Sequence, residues 1–379
     1  MAAALPVIRL QLQLTHKDNF MRASHFHSSR GFSIVELMIA IVLGLILIAG
    51  VIQVFLGNRQ TQLTEQAVAR VQEAGRLAID FIEADMRGAG FYGTGTLPDT
   101  SVATPPSIQN DVINAAQFNE ANFTSNAVRV YSRATSGTWV PSDPSGQTDI
   151  AGAVTVANSR PGSDLIAVFY GEMTAAEISG SVSGASSVSI TTNGACFKQN
   201  DLVMLAKPGY VTIFRVTNTP SCSAASTTLA HATSANTTGS FSNSYDQYAH
   251  VMKLHTQIYY VADTGRDNSA GDPVWALYRS SDGAAAEELV EGIEFLKLAY
   301  GARLSSGNIR YGDASVISAN QIVSARVGVL AQSLDSVRTT SDTSSYSLPG
   351  ATITAAMHGG GKALRRVFTT NIELRNRAL

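Results

Sequence analysis

Histidine and glycine-rich segments are the places where this sequence could support catalysis, and their spacing does not fit a known catalytic motif. His250 and His255 do not form the helical two-histidine motif of zinc metalloproteases. Residues 358–361 read His-Gly-Gly-Gly and are similar to the oxyanion segment of some esterases, but no G-x-S-x-G elbow follows. Residues 360–362 lack the spacing of a phosphate-binding loop. The sequence therefore predicts no catalytic site and no cofactor, and a glycine-rich turn at 358–361.

Two further groups of residues could bind a metal, but both lack the remaining ligands. Loop 262–273 (ADTGRDNSAGDP) contains three aspartates without the twelve-residue calcium pattern and its terminal glutamate. Cys196 and Cys222, the only two cysteines, have no companion ligands at zinc-finger spacing. We therefore predict no metal site. An exported protein would pair these cysteines and a cytosolic protein would keep them reduced, so the compartment decides their state.

The overall charge gives no electrostatic reason to expect nucleic acid as the main partner. The 379 residues carry a formal net charge of −2, and 15% of them are charged. The C-terminal region is locally basic, and there we predict a solvated strand edge protected against aggregation rather than a phosphate-binding surface. These basic residues are Lys362, Arg365, Arg366, Arg375 and Arg377.

An apolar segment near the N-terminus is long enough to cross a bilayer. Phe32 to Gly57 carries a single charge, Glu36, and as a helix would span roughly 39 Å, against about 30 Å of hydrocarbon. Arg22 and Arg30 precede it without a nearby acid, which places the N-terminus in the cytoplasm. A secretory signal would have a shorter apolar core. A plain membrane anchor explains the length but not the carboxylate, which in lipid requires a partner.

The residues around Glu36 resemble the class III signal of type IV prepilins and pseudopilins. The matching stretch is Arg30 to Ala40, RGFSIVELMIA. The resemblance implies cleavage by a prepilin peptidase between Gly31 and Phe32, N-methylation of Phe32, and pairing of Glu36 with the terminal amine of a neighbouring subunit. Residues 1–31 would then be a leader peptide, of which 1–20 could be an upstream extension before a true start at Met21.

A helical period continues past the apolar segment. Apolar residues recur every three or four positions, with polar residues on the other faces, until Gly88-Ala89-Gly90. The sequence predicts one helix from about Phe32 to Met86, with a transmembrane half (32–57) and an amphipathic half (58–90). A separate coiled-coil stalk is the alternative, although the stripe is too short for several heptads. The apolar stripe comprises Leu63, Ala67, Val71, Ala74, Ala78, Phe81 and Ile82.

Residues 91–379 are predicted to form a β-rich head, because short alternating segments are separated by polar, glycine-containing loops. The Gly, Asp and Asn residues of loop 262–273 favour a hairpin turn or a longer loop. The predicted fold class is α+β, with the long helix packed against the head as in type IV pilins. The candidate strands are Asp164–Tyr170, Leu202–Leu205, Tyr210–Val216, His255–Val261, Val274–Tyr278, Ile293–Tyr300, Ile322–Leu330 and Val367–Leu374.

Three C-terminal segments resemble PilW-type minor pilins, in the order that this family shows. They are Glu288–Gly301 (ELVEGIEFLKLAYG), Ala325–Leu330 (ARVGVL) and Arg365–Arg377 (RRVFTTNIELRNR). The resemblance implies a non-enzymatic subunit of the pilus-tip complex that primes pilus assembly and supports adhesin display and twitching motility. Its partners would be other minor pilins, a tip adhesin, the major pilin and the processing peptidase. Residues 93–250 resemble no family.

The same resemblance sets the expected location. The chain would first be a single-pass inner-membrane protein with a periplasmic head and would then lie at the extracellular pilus tip. In that oxidising setting we expect Cys196 and Cys222 to form a disulfide. The alternatives are a minor pseudopilin of a type II secretion system, a tip adhesin or DNA receptor, and a membrane-tethered periplasmic enzyme.

Overall fold

The computed structural model describes residues 31–91, 107–112, 127–140, 158–172, 176–222, 226–312, 322–374 and 376. Residues 1–30 of the predicted leader, including Met21, lie outside these ranges, as do Arg375 and Arg377. The chain divides into two units by its internal contacts, Met1–Asn58 and Arg59–Leu379. The second unit therefore contains both the head and the later part of the N-terminal helix.

A single helix, α1 (Ile34–Gly88), extends over 55 residues, so the predicted long helix is confirmed. It begins where the Leu37 amide donates to the Ser33 carbonyl at 3.0 Å. It ends at Gly88, and Gly90 then adopts a φ of 74°. Glycine tolerates this left-handed conformation without strain, which explains why the helical pattern stops at the glycines.

The larger sheet has ten strands and forms the centre of the head. Its main path is β1-β8-β7-β10-β4-β2-β3, in which β1 and β8 are parallel; β11 and β5 also pair with β10, and β12 pairs with β11. The strands are β1 (Ser107–Asn110), β2 (Val128–Arg133), β3 (Trp139–Val140), β4 (Asp164–Gly171), β5 (Ala176–Glu177), β7 (Leu202–Lys207), β8 (Tyr210–Arg215), β10 (His250–Asp267), β11 (Pro273–Ser281) and β12 (Glu287–Glu291).

The smaller sheet is antiparallel, with the order β14-β13-β15-β18. Two separate ribbons, β6–β9 and β16–β17, and a short helix α2 complete the described elements. The strands are β13 (Ile293–Arg303), β14 (Ile309–Gly312), β15 (Ile322–Ser336) and β18 (Ala363–Glu373); the ribbons are β6 (Ser187–Ile190), β9 (Thr227–Ala230), β16 (Tyr346–Leu348) and β17 (Ala351–Ile353); α2 is Ala355–His358.

The main hydrophobic core combines α1 with both sheets. Ile82 and Met86 of the helix are fully buried against residues such as Val168 and Tyr259 of the larger sheet and Val327 of the smaller one. A second core lies around strands β1, β4, β7, β8 and β10 of the larger sheet. A third core is built almost entirely from residues 176–251, and a small fourth core lies between β13, β15 and the β16–β17 ribbon.

Each of the eight predicted strand segments overlaps an observed strand, although Val216 and Leu374 at the ends of two segments lie one residue beyond β8 and β18, and the α+β fold class is confirmed. The predicted hairpin at 262–273 joins β10 to β11, but β10 continues to Asp267, so the turn is shorter than the polar segment. The sequence did not predict the other ten strands, which are β1, β2, β3, β5, β6, β9, β12, β14, β16 and β17. All of these strands except β2 have five residues or fewer, and so short a segment carries too few apolar residues to distinguish a strand from a loop.

Candidate assembly site

The residues assigned to processing lie just before α1, and the residue assigned to pairing lies in its first turn. Gly31, Phe32 and Glu36 are exposed, and Phe32 keeps 75% of its surface. The Ser33 hydroxyl accepts a hydrogen bond from the Val35 amide at 3.3 Å, next to the helix start. Glu36 lies in the first helical turn, where the positive end of the helix dipole favours a carboxylate. A neighbouring molecule can therefore reach both Phe32 and Glu36.

The first part of α1 presents a continuous apolar surface. From Ile34 to Leu56 its large apolar side chains are 52–77% exposed. Among the described residues, α1 is the one helix whose length and composition allow it to cross a membrane. An exposed apolar surface of this size marks contact with lipid or with another protein.

The later part of α1 packs onto the head along one stripe, which confirms most of the predicted apolar positions. Leu63 is the exception, because it is 44% exposed and the buried stripe begins one turn later, at Ala67. Ala74 and Phe81 are only partly buried. The buried helix residues are Ala67, Val71, Gly75, Ala78, Ile79, Ile82 and Met86.

Asp85 is a polar anchor of the helix that sequence analysis missed. Its carboxylate accepts hydrogen bonds from the hydroxyls of Tyr170, at 3.1 Å, and Tyr259. Burial, followed by the neighbouring Asp85 charge, raises the pKa of both tyrosines above the ordinary value. Both hydroxyls therefore stay protonated and donate. Asp85 falls among the other polar helix positions in the sequence, so no local signal separates it from a solvated carboxylate.

The three segments that resemble PilW-type pilins come together in space. Glu288–Gly301 provides most of β12 and most of β13, Ala325–Leu330 lies in β15, and Arg365–Arg377 contains most of β18. Strands β13, β15 and β18 are adjacent in the smaller sheet, with Leu296 opposite Val329 and Val329 opposite Phe368. Segments separated by tens of residues thus form one structural unit.

A buried ionic cluster lies at one end of this unit. Glu294 forms ion pairs with Arg365 at 2.7 Å and with Arg160 at 3.0 Å, and all three side chains are nearly inaccessible. Arg365 also lies 3.4 Å from Asp342 and donates to the Gly360 carbonyl at 2.6 Å. The Arg160 guanidinium lies over the rings of Trp275 and Phe295. The two arginines bracket one carboxylate, so Glu294 neutralises charge that the core could not otherwise contain.

The environment of the cluster shifts two pKa values. Burial lowers the pKa of Arg160 to about 10, although Glu294 opposes this shift. Burial alone would raise the pKa of Asp342, but hydrogen bonds from Tyr346 and Ser344 and the charge of Arg338 outweigh it and lower the pKa to about 2. Asp342 is therefore ionised at neutral pH and contributes negative charge beside Arg365.

This cluster corrects the prediction for the basic C-terminal residues. β18 is an edge strand, and Lys362 and Arg366 are exposed, as predicted for a solvated edge. Arg365 is instead buried, because its side chain faces Glu294 and Asp342, which come from distant parts of the sequence. The prediction was wrong for Arg365, since local charge density cannot reveal such long-range partners.

The two sheets are joined by a second buried polar contact. The Asp164 carboxylate accepts from the Lys297 ammonium at 2.7 Å and from the Leu298 amide at 3.0 Å. The Ser163 hydroxyl oxygen accepts a hydrogen bond from the Leu296 amide at 3.0 Å. The start of β4 is thereby fixed to the middle of β13, and this contact holds the smaller sheet against the larger one.

Cys196 and Cys222 form a disulfide, with their Cα atoms 4.4 Å apart. The bond connects the loop before β7 to the loop after β8. The Asn193 side chain bridges the same loops by donating to the Ser221 carbonyl at 2.9 Å and accepting from the Phe197 amide at 2.8 Å. The disulfide therefore closes the third core at its edge.

The histidines discussed above lie in separate environments. His255 bonds to Asp282 at 2.8 Å, and His358 is buried with Nε2 2.9 Å from the Ser344 carbonyl oxygen. Residues 359–361 form a turn in which each glycine has a positive φ. Within the ranges that the structure describes, His, Cys, Asp and Glu do not form a group able to hold a metal ion.

Two family models match the chain. The prokaryotic N-terminal methylation motif matches residues 26–52, and the type IV pilus-assembly protein W family, PilW, matches residues 258–376. The second range runs from the middle of β10 to the end of β18 and includes the whole smaller sheet. The comparison with curated proteins finds no significant match.

The methylation motif together with the exposed apolar helix fits a prepilin-like protein that is anchored in a membrane before pilus assembly. The PilW match then supports its assignment as a minor pilin related to the type IV pilus. This family serves pilus assembly, which implies contacts with other pilus components and processing of the prepilin. The resemblance expected from the three C-terminal segments is confirmed.

Proposed function

We propose that the protein is a subunit of the tip complex that primes the type IV pilus and supports adhesin display and twitching motility. The observation that carries this proposal is the exposed Glu36 at the start of an exposed apolar helix, in a chain with a PilW region. Its partners would be other minor pilins, a tip adhesin and the major pilin.

Maturation would proceed at the start of α1. Prepilin peptidase would cleave between Gly31 and Phe32, removing leader 1–31, and Phe32 would be methylated. The transmembrane half, 32–57, would anchor the chain in the inner membrane, followed by the amphipathic half, 58–90, and the periplasmic head, 91–379. The disulfide between Cys196 and Cys222 fits an oxidising compartment.

Assembly would transfer the apolar helix from lipid to the helices of neighbouring subunits. Glu36 would pair with the terminal amine of a neighbour, because two opposite charges in an apolar medium cost much less together than apart. The head would then lie at the pilus tip outside the cell. The PilW match favours this role over that of a type II secretion pseudopilin.

Two variants test processing and assembly separately. Gly31→Leu should leave an uncleaved precursor in the membrane, since a bulky residue there does not fit the peptidase. Glu36→Ala should be inserted and cleaved but should fail to enter pili. Mass spectrometry of the mature N-terminus and immunoblots of sheared pili measure these outcomes. Normal piliation by Glu36→Ala would contradict the pairing role, and cleavage of Gly31→Leu would contradict the processing site.

A further inference from the structure

Strand β18 is the longest edge in the described part of the head. Its eleven residues pair with β15 along one side and with no other strand in the described ranges. The other strands that end a sheet path, β1, β3, β5, β12 and β14, have two to five residues. Proteins usually protect sheet edges with short strands, charged side chains, prolines or bulges, and of these β18 has a charged side chain in the exposed Arg366. β18 contains no proline, and its only register shift lies at its beginning, between Gln332 and Ser336 of the partner strand.

The hydrogen-bond pattern shows which amides of β18 point away from the sheet. The Leu374 amide donates to the Val323 carbonyl at 2.9 Å, and the pairing register continues through Ile372 opposite Ala325 and Thr370 opposite Val327. Because antiparallel strands alternate, the amides of Thr370, Phe368 and Arg366 also face β15. The amides of the intervening residues, Val367, Thr369 and Asn371, therefore face outward.

These outward groups form a ladder available to another strand. The backbone bonds of the described residues include none from the Val367, Thr369 or Asn371 amide to another element. Polar backbone groups at an edge are satisfied by water or by an added strand, which is the basis of strand addition in peptide recognition.

The side chains along the edge favour an added strand of defined chemistry. Val367 and Phe368 are only half-buried, on opposite faces of β18, so a further strand would cover apolar surface on both faces. Arg366 is exposed, two positions from Phe368 and on the same face, with its guanidinium 6.0 Å from the Phe368 ring centre. An acidic residue beside Arg366 and an apolar residue beside Phe368 would match this edge.

We propose that β18 binds an extended segment of another pilus subunit, which adds to the smaller sheet as a fifth strand. The segment carries an acidic residue and an apolar residue two positions apart, opposite Arg366 and Phe368. This inference rests on the proposed function as a pilus component. It specifies the surface through which the PilW-matched sheet meets its partner and the form in which the partner binds.

A pair of proline variants in the full-length chain tests the edge. Thr369→Pro removes an outward amide and keeps the ladder with β15, whereas Thr370→Pro removes an inward amide and should destabilise the head. Thr369→Pro should therefore yield a stable, processed protein. Its yield of cross-links to the partner should fall roughly tenfold, as expected for the loss of one hydrogen bond of the interface. Partner contact equal to that of the parent chain would overturn the proposal.

Partner contact is measured by photo-cross-linking in piliated cells, with p-benzoylphenylalanine at Thr369 or at Asn371; the Thr369→Pro variant carries the probe at Asn371. Both positions are exposed and lie on the same face of β18. The two probes should cross-link to one segment of another pilus subunit, at sites about two residues apart. A probe on exposed Tyr248 gives the background yield of cross-links. The inference would be overturned if the β18 probes gave no higher yield than this background. Cross-links to unrelated segments or to a second copy of this chain would also overturn it.

The same cells separate this inference from the proposed function. A chain that is cleaved and recovered in sheared pili, but whose β18 probes do not cross-link to another subunit, contradicts only strand addition. A chain that is absent from pili contradicts the proposed function, and with it the inference.

Discussion

Charged residues in the core of the head are stabilised by partners that are remote in sequence. Glu294 forms ion pairs with two arginines, Arg160 and Arg365, that are distant from it and from each other in the chain. Exposed ion pairs contribute little to stability, because water already solvates both charges. A buried pair behaves differently: removal of one partner leaves the other charged and unsolvated. The stability of the smaller sheet should therefore depend on Glu294 far more than on surface glutamates.

We predict that Glu294→Gln lowers the free energy of unfolding by about 3–5 kcal/mol, since it removes the ion-pair partner of buried Arg160 and leaves buried Arg365 with Asp342 as its counter-charge. The matched control is Glu287→Gln, which removes an exposed ion pair with Arg279 and should cost less than about 1 kcal/mol. Urea denaturation of the purified full-length proteins measures both values. Equal losses in the two variants would show that the cluster does not carry this stability.

At the scale of elements, helix α1 approaches the smaller sheet closely at Gly75. A Cβ atom at this position would lie 2.1 Å from Cδ2 of the Phe368 ring, far inside van der Waals contact. A glycine in a helix normally lowers stability by about 1 kcal/mol relative to alanine. At Gly75 this cost is offset by close packing against β18, which joins the amphipathic half of the helix to the PilW-matched sheet.

Gly75→Ala should therefore destabilise the head by about 1–3 kcal/mol, in spite of its better helix propensity, because the Phe368 ring must move. Gly88→Ala is the control in the same helix, since its Cβ would meet Tyr170 at an ordinary 3.5 Å. Thermal unfolding followed by circular dichroism compares the two variants. Phe368→Ala in the Gly75→Ala background should remove most of the clash. Additive effects of the two substitutions on the free energy of unfolding would contradict a clash between these two residues.

At the scale of the whole molecule, two histidines impose opposite pH dependence on stability. The hydrogen bond from His255 to Asp282 raises the pKa of His255. Protonated His255 therefore stabilises the folded state. This stabilisation is complete below the pKa of histidine in the unfolded chain, about 6.5, and is lost as the pH rises through the higher pKa of His255 in the folded protein. Burial lowers the pKa of His231, despite the opposing effect of Asp111. The folded state therefore loses stability as the pH falls below about 6.5, where the unfolded state takes up the proton.

Two variants should separate these effects. The loss of stability caused by His255→Gln should shrink as the pH rises from about 5.5 to 8, and the loss caused by His231→Gln should shrink as the pH falls over the same range. Urea unfolding of parent and variant proteins at several pH values measures both trends. Parallel pH profiles for parent and variant would show that the histidine concerned does not titrate differently on unfolding.

Local patterns in the sequence were sufficient to predict the helices and strands that have a strong periodic or compositional signal. The apolar segment after Phe32 and the stripe from Ala67 to Ile82 predicted α1, and alternation predicted strands such as β13, β15 and β18. The short polar strands of residues 107–230 were not predicted, because their pairing is decided by neighbours that are distant in the chain. Asp85 and Arg365 were missed for the same reason.

The sequence alone determined the long helix, its apolar and amphipathic halves, and the position of Glu36 at its start, since these depend on contacts within a few turns or on composition. It also identified the three C-terminal segments that resemble PilW-type minor pilins. Only the tertiary structure decided that those segments are neighbouring strands, that Glu294 is enclosed by two arginines, and that β18 is an open edge. Sheet order and burial follow from pairing between residues that are tens of positions or more apart, and such pairing leaves no trace in local spacing.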